Sequence, residues 1–163
     1  MTNFEVARLF YEMASLLEVR GESAFRVRAY QRAAQTIEAL ADELAAVAAR
    51  GGLQTIPGIG KDLAARITEY LATGKIGQLE ELRREVPPNF LTLLEVRGLG
   101  PKTAKLLLER LGVDSIDKLA EVCRSGQILT IAGIRAKTCE NILKGIATWR
   151  AELAAIVPEG TSG

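Results

Sequence analysis

Three short stretches carry the most specific chemistry in this chain. IPGIGKDLAARI begins at Ile56, VRGLGPKTAKLL at Val96 and IAGIRAKTCENI at Ile131, with starts 40 and 35 residues apart. Their shared pattern is apolar-x-Gly-apolar-Gly-x-x-x-small-x-x-apolar, and each opens a helical periodicity. The first glycine (Gly58, Gly98 or Gly133) suits the positive φ of a turn between two helices. The second, Gly60 or Gly100, falls where the next helix begins. There the leading N–H groups lack partners inside the helix, and the helix dipole favours negative charge. With no side chain in the way, a phosphate oxygen can reach those donors. Lys61, Lys102 and Lys137 add a charge within the first turn, and Thr103 stands beside Lys102. The small residue, Ala64, Ala104 or Cys139, lets the two helices pack closely. This is equipment for clamping phosphates without reading bases. In the third copy Arg135 replaces the second glycine, so a side chain stands where the other two leave the backbone open.

A dinucleotide-binding turn would need a preceding strand and a third glycine in register, and neither is present. One glycine-stopped turn alone would read as an ordinary helix connection; three copies with the same lysine read as a repeated phosphate clamp. Further cations lie nearby in sequence. Arg26, Arg28 and Arg32 fall within about one and a half turns around Tyr30, with Arg28 and Arg32 on one face. Arg97 and Lys105 flank the second turn. The run EELRREVP reads as a solvated helix end, and Trp149 as core packing or a domain contact.

The elements that must hold these turns are helices throughout. NFEVARLFYEMASLLEV puts Phe4, Ala7, Leu9 or Phe10, Met13, Leu16 and Leu17 on one face, with Asn3 available as N-cap. SAFRVRAYQRAAQTIEAL continues through Phe25, Ala29, Ala33, Ile37 and Leu40. ADELAAVAARGG is a short helix stopped by Gly51 and Gly52. No stretch sustains the period-two, β-branched pattern of a sheet, so an all-α fold is expected. Two consecutive prolines in EVPPNF cannot continue a helix and mark a subdomain boundary near Pro87–Pro88. The expected organisation is 1–86, 87–149 with the second and third turns, and a C-terminal end, 150–163, whose VPEGTSG reads as loose.

The 163 residues, 48% hydrophobic and 25% charged, suit a globular chain with a real core. With no apolar run of membrane-spanning length and no signal-peptide layout, no membrane role and a cytoplasmic location are expected. There is no histidine, which removes His-based triads and most metallohydrolase sites. Cys123 and Cys139 form no CxxC and read as small core residues. A net charge of only +1 means that any nucleic-acid case rests on where the cations lie.

Together with FRVRAYQRAA at 25–34, LATGK at 71–75 and LGVDSIDKL at 111–119, the three hairpins resemble the N-terminal region of bacterial family X DNA polymerases, relatives of DNA polymerase beta. The resemblance runs from about Asn3 to Trp149. It implies a helical lyase-like subdomain that binds the 5′-phosphate side of a DNA gap, followed by tandem helix-hairpin-helix repeats that grip backbone. It thus implies gapped, nicked or duplex DNA as partner, a role in base excision repair, and a polymerase palm domain in a longer chain. The family's palm carries paired metal-binding aspartates. Asp42, Asp62, Asp114 and Asp117 form no DxD, so polymerase chemistry is not expected here. The family's Schiff-base lysine, on the helix after the first hairpin, corresponds to Arg66, whose guanidinium keeps its proton and cannot act as the nucleophile. In the family's phosphate pocket Tyr30 is matched and Arg26 replaces a lysine, while Gln54 and Asp62 stand in place of further lysines. No cofactor is required for such binding. The resemblance adds a monovalent cation, Na+ or K+, on the carbonyls of Gln54, Ile56 and Ile59 and of Leu94, Val96 and Leu99. Two other readings stay open: a lyase using another lysine, such as Lys61 or Lys75, and a protein-docking module.

Overall fold

A computed structural model describes residues 2–156; the tail 157–163 lies outside the described residues. Among the described residues there are nine α-helices and no strand. The chain divides into two units between Glu85 and Val86.

In the first unit α1 (Thr2–Arg20) packs along α2 (Ala24–Ala39), and α3 (Leu44–Ala49), α4 (Lys61–Thr73) and α5 (Gly77–Arg84) complete it. The α1 core face is Val6, Ala7, Phe10, Met13, Leu16 and Leu17, while Phe4 is 59% exposed. The buried stripe of α2 is Val27, Tyr30, Ala33, Ala34 and Ile37, rotated from the expected one. Phe25 and Ala29 both face out. Two helically spaced stripes compete on this helix, and the one led by Val27 and Tyr30 wins because Tyr30 meets Phe10 edge-on, ring centroids 5.3 Å apart.

Asn3 is not the cap of its own helix. It is buried, accepts a hydrogen bond from Leu44 N at 2.9 Å and donates to Asp42 O at 2.8 Å. The helix-start amide of α3 is thereby capped from α1, which Glu43 does not do. Asn3→Ala leaves both groups without these partners, so we expect about 1–3 kcal/mol of lost stability, read as a lower urea midpoint at unchanged slope. The EELRREVP run is only partly a solvated end. Leu79 and Leu82 are buried, and Arg83 donates to both Glu12 oxygens, at 2.6 and 2.7 Å, tying α5 to α1.

The second unit holds α6 (Phe90–Leu93), α7 (Pro101–Leu111), α8 (Ile116–Ser125) and α9 (Ala136–Ile156). Its core includes Phe90, Leu93, Leu107, Leu119, Ile128 and Ile142, with Trp149 half-buried on α9. Cys123 and Cys139 are buried and unbridged where α8 meets α9. The Cys139 thiol donates to Cys123 O at 3.2 Å. Burial first, and the adjacent Cys139 second, push the Cys123 thiol up to about 12. A thiol so raised stays protonated, so a disulfide reagent near pH 8 should leave Cys123 unmodified until the unit unfolds. Rapid labelling of Cys123 in the native protein would contradict that expectation.

Candidate nucleic-acid interface

The three repeats fold into the same turn. Ile59 N donates to Ile56 O at 3.0 Å, Leu99 N to Val96 O at 3.2 Å and Ile134 N to Ile131 O at 3.2 Å. The third residue of each turn is a glycine at positive φ: 83° at Gly58, 92° at Gly98 and 90° at Gly133. These are the marks of a type II turn. The apolar ends, Ile56, Ile59, Val96, Leu99 and Ile131, are buried and anchor the turns, while the glycines stay exposed.

Gly60 and Gly100 precede α4 and α7 in extended backbone, and neither supplies a capping side chain. The first helical bonds run from Ala64 N to Gly60 O and from Ala104 N to Gly100 O. The amides of Lys61, Asp62 and Leu63, and of Lys102 and Thr103, therefore precede the ladder and have no partner in their helices. Pro101 brings no N–H at all. Two other helices are capped by serine: at α2 Ser23 accepts from Arg26 N, and at α8 Ser115 accepts from Lys118 N. The hairpin helices are left open at the surface. A Cβ at Gly60 or Gly100 would meet nothing within 4 Å, so the space before these amides is empty.

In the first unit the turn forms one wall of a cleft of about 490 Å³ with α2 opposite. Arg26, Lys61 and Arg66 line it together with Asp62, three cations to one carboxylate, a net of +2. None of the ion pairs among the described residues uses these three cations. Arg20, Arg50, Arg83 and Arg150, by contrast, are each paired with a carboxylate. Arg66 is held in place: its Nε donates to Gln78 Oε1 at 3.0 Å, which leaves both terminal nitrogens for a ligand. Tyr30 lines the cleft but is only 4% exposed, so most of its ring is core.

Arg28 and Arg32 are exposed and lie outside the residues lining the cleft. The Arg28 guanidinium stacks 5.2 Å over the ring of Phe25, which is 81% exposed. Phe25, expected in the core, is instead an exposed ring next to Arg26 with Arg28 over one face, and an exposed ring is the kind of surface on which an unpaired base stacks. Lys75 is exposed and does not line the cleft; Gln54 is exposed as well.

At the second turn Lys102 and Arg97 are exposed, and Thr103 and Lys105 half-buried. Lys102 and Lys105 are in no ion pair among the described residues, and Arg97 touches Glu152 only at 4.0 Å. At the third turn Arg135 is exposed, and Lys137 faces Glu140 at 3.8 Å. The degenerate copy keeps its turn but shares its lysine with a carboxylate. Gln78, Phe25 and the α9 residues Asn141 and Lys144 are surface features that the sequence reading missed. Gln78 sits in no motif, and Phe25 fits an apolar stripe equally well.

Among the described residues there is no cluster of acidic or cysteine side chains able to hold a metal. No described helix is long and apolar enough to cross a membrane.

Comparisons with known proteins agree with this geometry. A helix-hairpin-helix domain model matches residues 1–76, and a SAM-like helix-hairpin-helix tandem model matches residues 90–148. The chain is 32% identical over 142 residues to the DNA polymerase/3′-5′ exonuclease PolX of Bacillus subtilis, covering 87% of this chain and 24% of that protein. It is 30% identical over 109 residues to DNA polymerase lambda of Arabidopsis thaliana, covering 66% of this chain and 20% of that one. The chain spans about a quarter or less of the length of these relatives. Both units thus carry helix-hairpin-helix domains, and the chain is similar to DNA polymerases of family X.

Proposed function

We propose that this chain binds DNA through its sugar-phosphate backbone, with little dependence on base sequence, and that its targets are the gapped and nicked duplexes of repair. The observation that carries this reading is the pair of uncapped, surface-facing helix starts at Gly60 and Gly100, each beside an unpaired lysine. Similarity to polymerases of family X supports it. Phosphate contacts position a protein on DNA without reading sequence. If the turns and flanking cations neutralise roughly 4–6 phosphates, log affinity falls against log salt with a slope of about −4 to −5. A slope near zero on gapped duplex would remove the proposal and leave the protein-docking reading.

The first-unit cleft supports binding of a terminal phosphate. A phosphomonoester near neutral pH carries close to two negative charges, against the net +2 of the cleft. With Nε taken by Gln78, the two terminal nitrogens of Arg66 can grip two phosphate oxygens. Arg66→Ala is expected to reduce the preference for 5′-phosphorylated over 5′-hydroxyl gaps by roughly ten- to a hundredfold, one bidentate charged contact being worth roughly 1.5–3 kcal/mol. An unchanged preference would place 5′-phosphate recognition elsewhere. Arg66 also bears on the lyase reading, because a guanidinium forms no Schiff base. Lys61 lies in the same cleft, so borohydride trapping on incised abasic DNA is the deciding assay. We expect no covalent adduct; one that disappears in Lys61→Ala would establish the lyase instead.

The hairpins also suit a monovalent cation, Na+ or K+. Among the described residues, outside the helices no backbone N–H donates to the carbonyls of Gln54, Ile59, Leu94 or Leu99, and those of Ile56 and Val96 each accept one turn bond. Neutral carbonyl oxygens of this kind would hold such an ion and add positive charge beside the strand. A longer chain supplying a palm domain fits the fraction of each relative that is matched.

A further inference from the structure

Gly145 lies in the middle of α9, where glycine costs helix stability, and its reason is tertiary. A Cβ there would sit 2.1 Å from the Arg97 carbonyl oxygen, so α9 presses its backbone directly onto the second turn. This contact builds a groove of about 320 Å³ whose rim includes Arg97, Asn141, Lys144 and Thr148, with Gly98 and Gly145 leaving it free of side chains.

The rim residues of α9 belong to a longer row. Lys137, Asn141, Lys144 and Thr148 are four, three and four residues apart, which puts them on one helix face over about 16 Å. All four are exposed or half-buried, and the row leads from the third hairpin to the second. The row carries two ammonium groups, an amide and a hydroxyl. Among the described residues the side chains of Asn141, Lys144 and Thr148 make no hydrogen bond or ion pair. Arg97 meets Glu152 only at 4.0 Å with both side chains largely exposed, a pair too weak to hold it from a ligand.

We propose that this groove holds a phosphate of the DNA backbone, gripped by Lys144 and Arg97 and oriented by Asn141 and Thr148. The strand engaged by the second hairpin then continues along α9 toward the third. The assignment rests on the DNA-binding reading and gives the degenerate hairpin a place in it. Arg135 and Lys137 lie at the far end of the track, so the third copy needs no open backbone of its own. The donors are those that recognise phosphodiester oxygens; no aromatic face lines the groove to stack a base.

The test compares salt slopes of the wild-type protein, the Asn141→Ala/Lys144→Ala double variant and Lys144→Arg on one gapped duplex. Both positions are exposed, so thermal unfolding should be unaffected and any change belongs to binding. The double variant is expected to have a slope shallower by about 1, the share of one phosphate contact, and Lys144→Arg to keep the wild-type slope. A steep wild-type slope unchanged in the double variant would overturn the groove and leave the hairpin reading standing. A wild-type slope near zero would overturn both.

Discussion

Leucine in place of both Gly60 and Gly100 is expected to weaken binding to gapped duplex by more than about tenfold, with the unfolding midpoint almost unmoved. The separation of the two effects follows from backbone geometry. Gly60 sits at φ −88° and ψ −167°, and Gly100 at φ −85° and ψ 166°, extended conformations open to any residue. A Cβ at either position meets nothing within 4 Å, so the fold has no objection to a side chain. Only an incoming ligand does. Each blocked helix start loses charge-assisted bonds donated by its amides to phosphate oxygens, worth roughly 1.5–3 kcal/mol apiece where they form. Gly58 and Gly98 are poorer choices, because their positive φ would add turn strain of about 1–2 kcal/mol to any loss of binding. Fluorescence anisotropy beside a thermal melt decides the matter. Wild-type affinity in the double variant would show that close backbone approach is not how the strand is held.

Gly145→Ala is expected to destabilise the second unit, against the direction that helix propensity alone gives. In an exposed helix interior alanine gains about 1 kcal/mol over glycine. Here the new methyl carbon would lie 2.1 Å from Arg97 O, 3.0 Å from its carbonyl carbon and 3.1 Å from Val96 Cγ1. The closest neighbours are backbone, so α9 or the turn must move. Overpacking of this kind costs about 1–3 kcal/mol or more, which offsets the propensity gain and leaves a net loss. Urea denaturation should show a lower midpoint, and DNA affinity should fall because the displaced element is the turn of the second hairpin. A more stable Gly145→Ala protein would mean that α9 does not press on Arg97 as described.

The hairpins were readable from sequence because a type II turn demands glycine at one defined position and buried apolar residues at its ends. Ile56, Pro57, Gly58 and Ile59 state those demands in order, and two further copies repeat them. The all-helical architecture followed from periodicity with equal directness. The face of α2 did not, since Phe25 and Val27 both begin helically spaced stripes and only contact with Phe10 decides between them. Phe4 was misplaced as well, being 59% exposed while Val6, Ala7 and Phe10 form the α1 core face. Asn3 had the composition of a cap and became one, but for a helix some forty residues away. The sequence identified cations beside the turns without telling which were already paired. That Arg83 ties α5 to α1 while Arg66 is held by Gln78 at the cleft is a fact of tertiary structure. The α9 groove exists only because Gly145 lets the second turn come close, and an isolated helix glycine gives a reader no partner to name.

Whether uncapped amides at the glycine-framed helix starts hold phosphate is decided by following backbone amide resonances during titration with gapped duplex. The largest downfield shifts are expected at Gly60, Lys61, Asp62 and Leu63 and at Gly100, Lys102 and Thr103, with the rest of the first-unit cleft lining next. Saturable DNA binding that leaves those amides unmoved, with the shifts gathered on other surfaces, would contradict phosphate capture there.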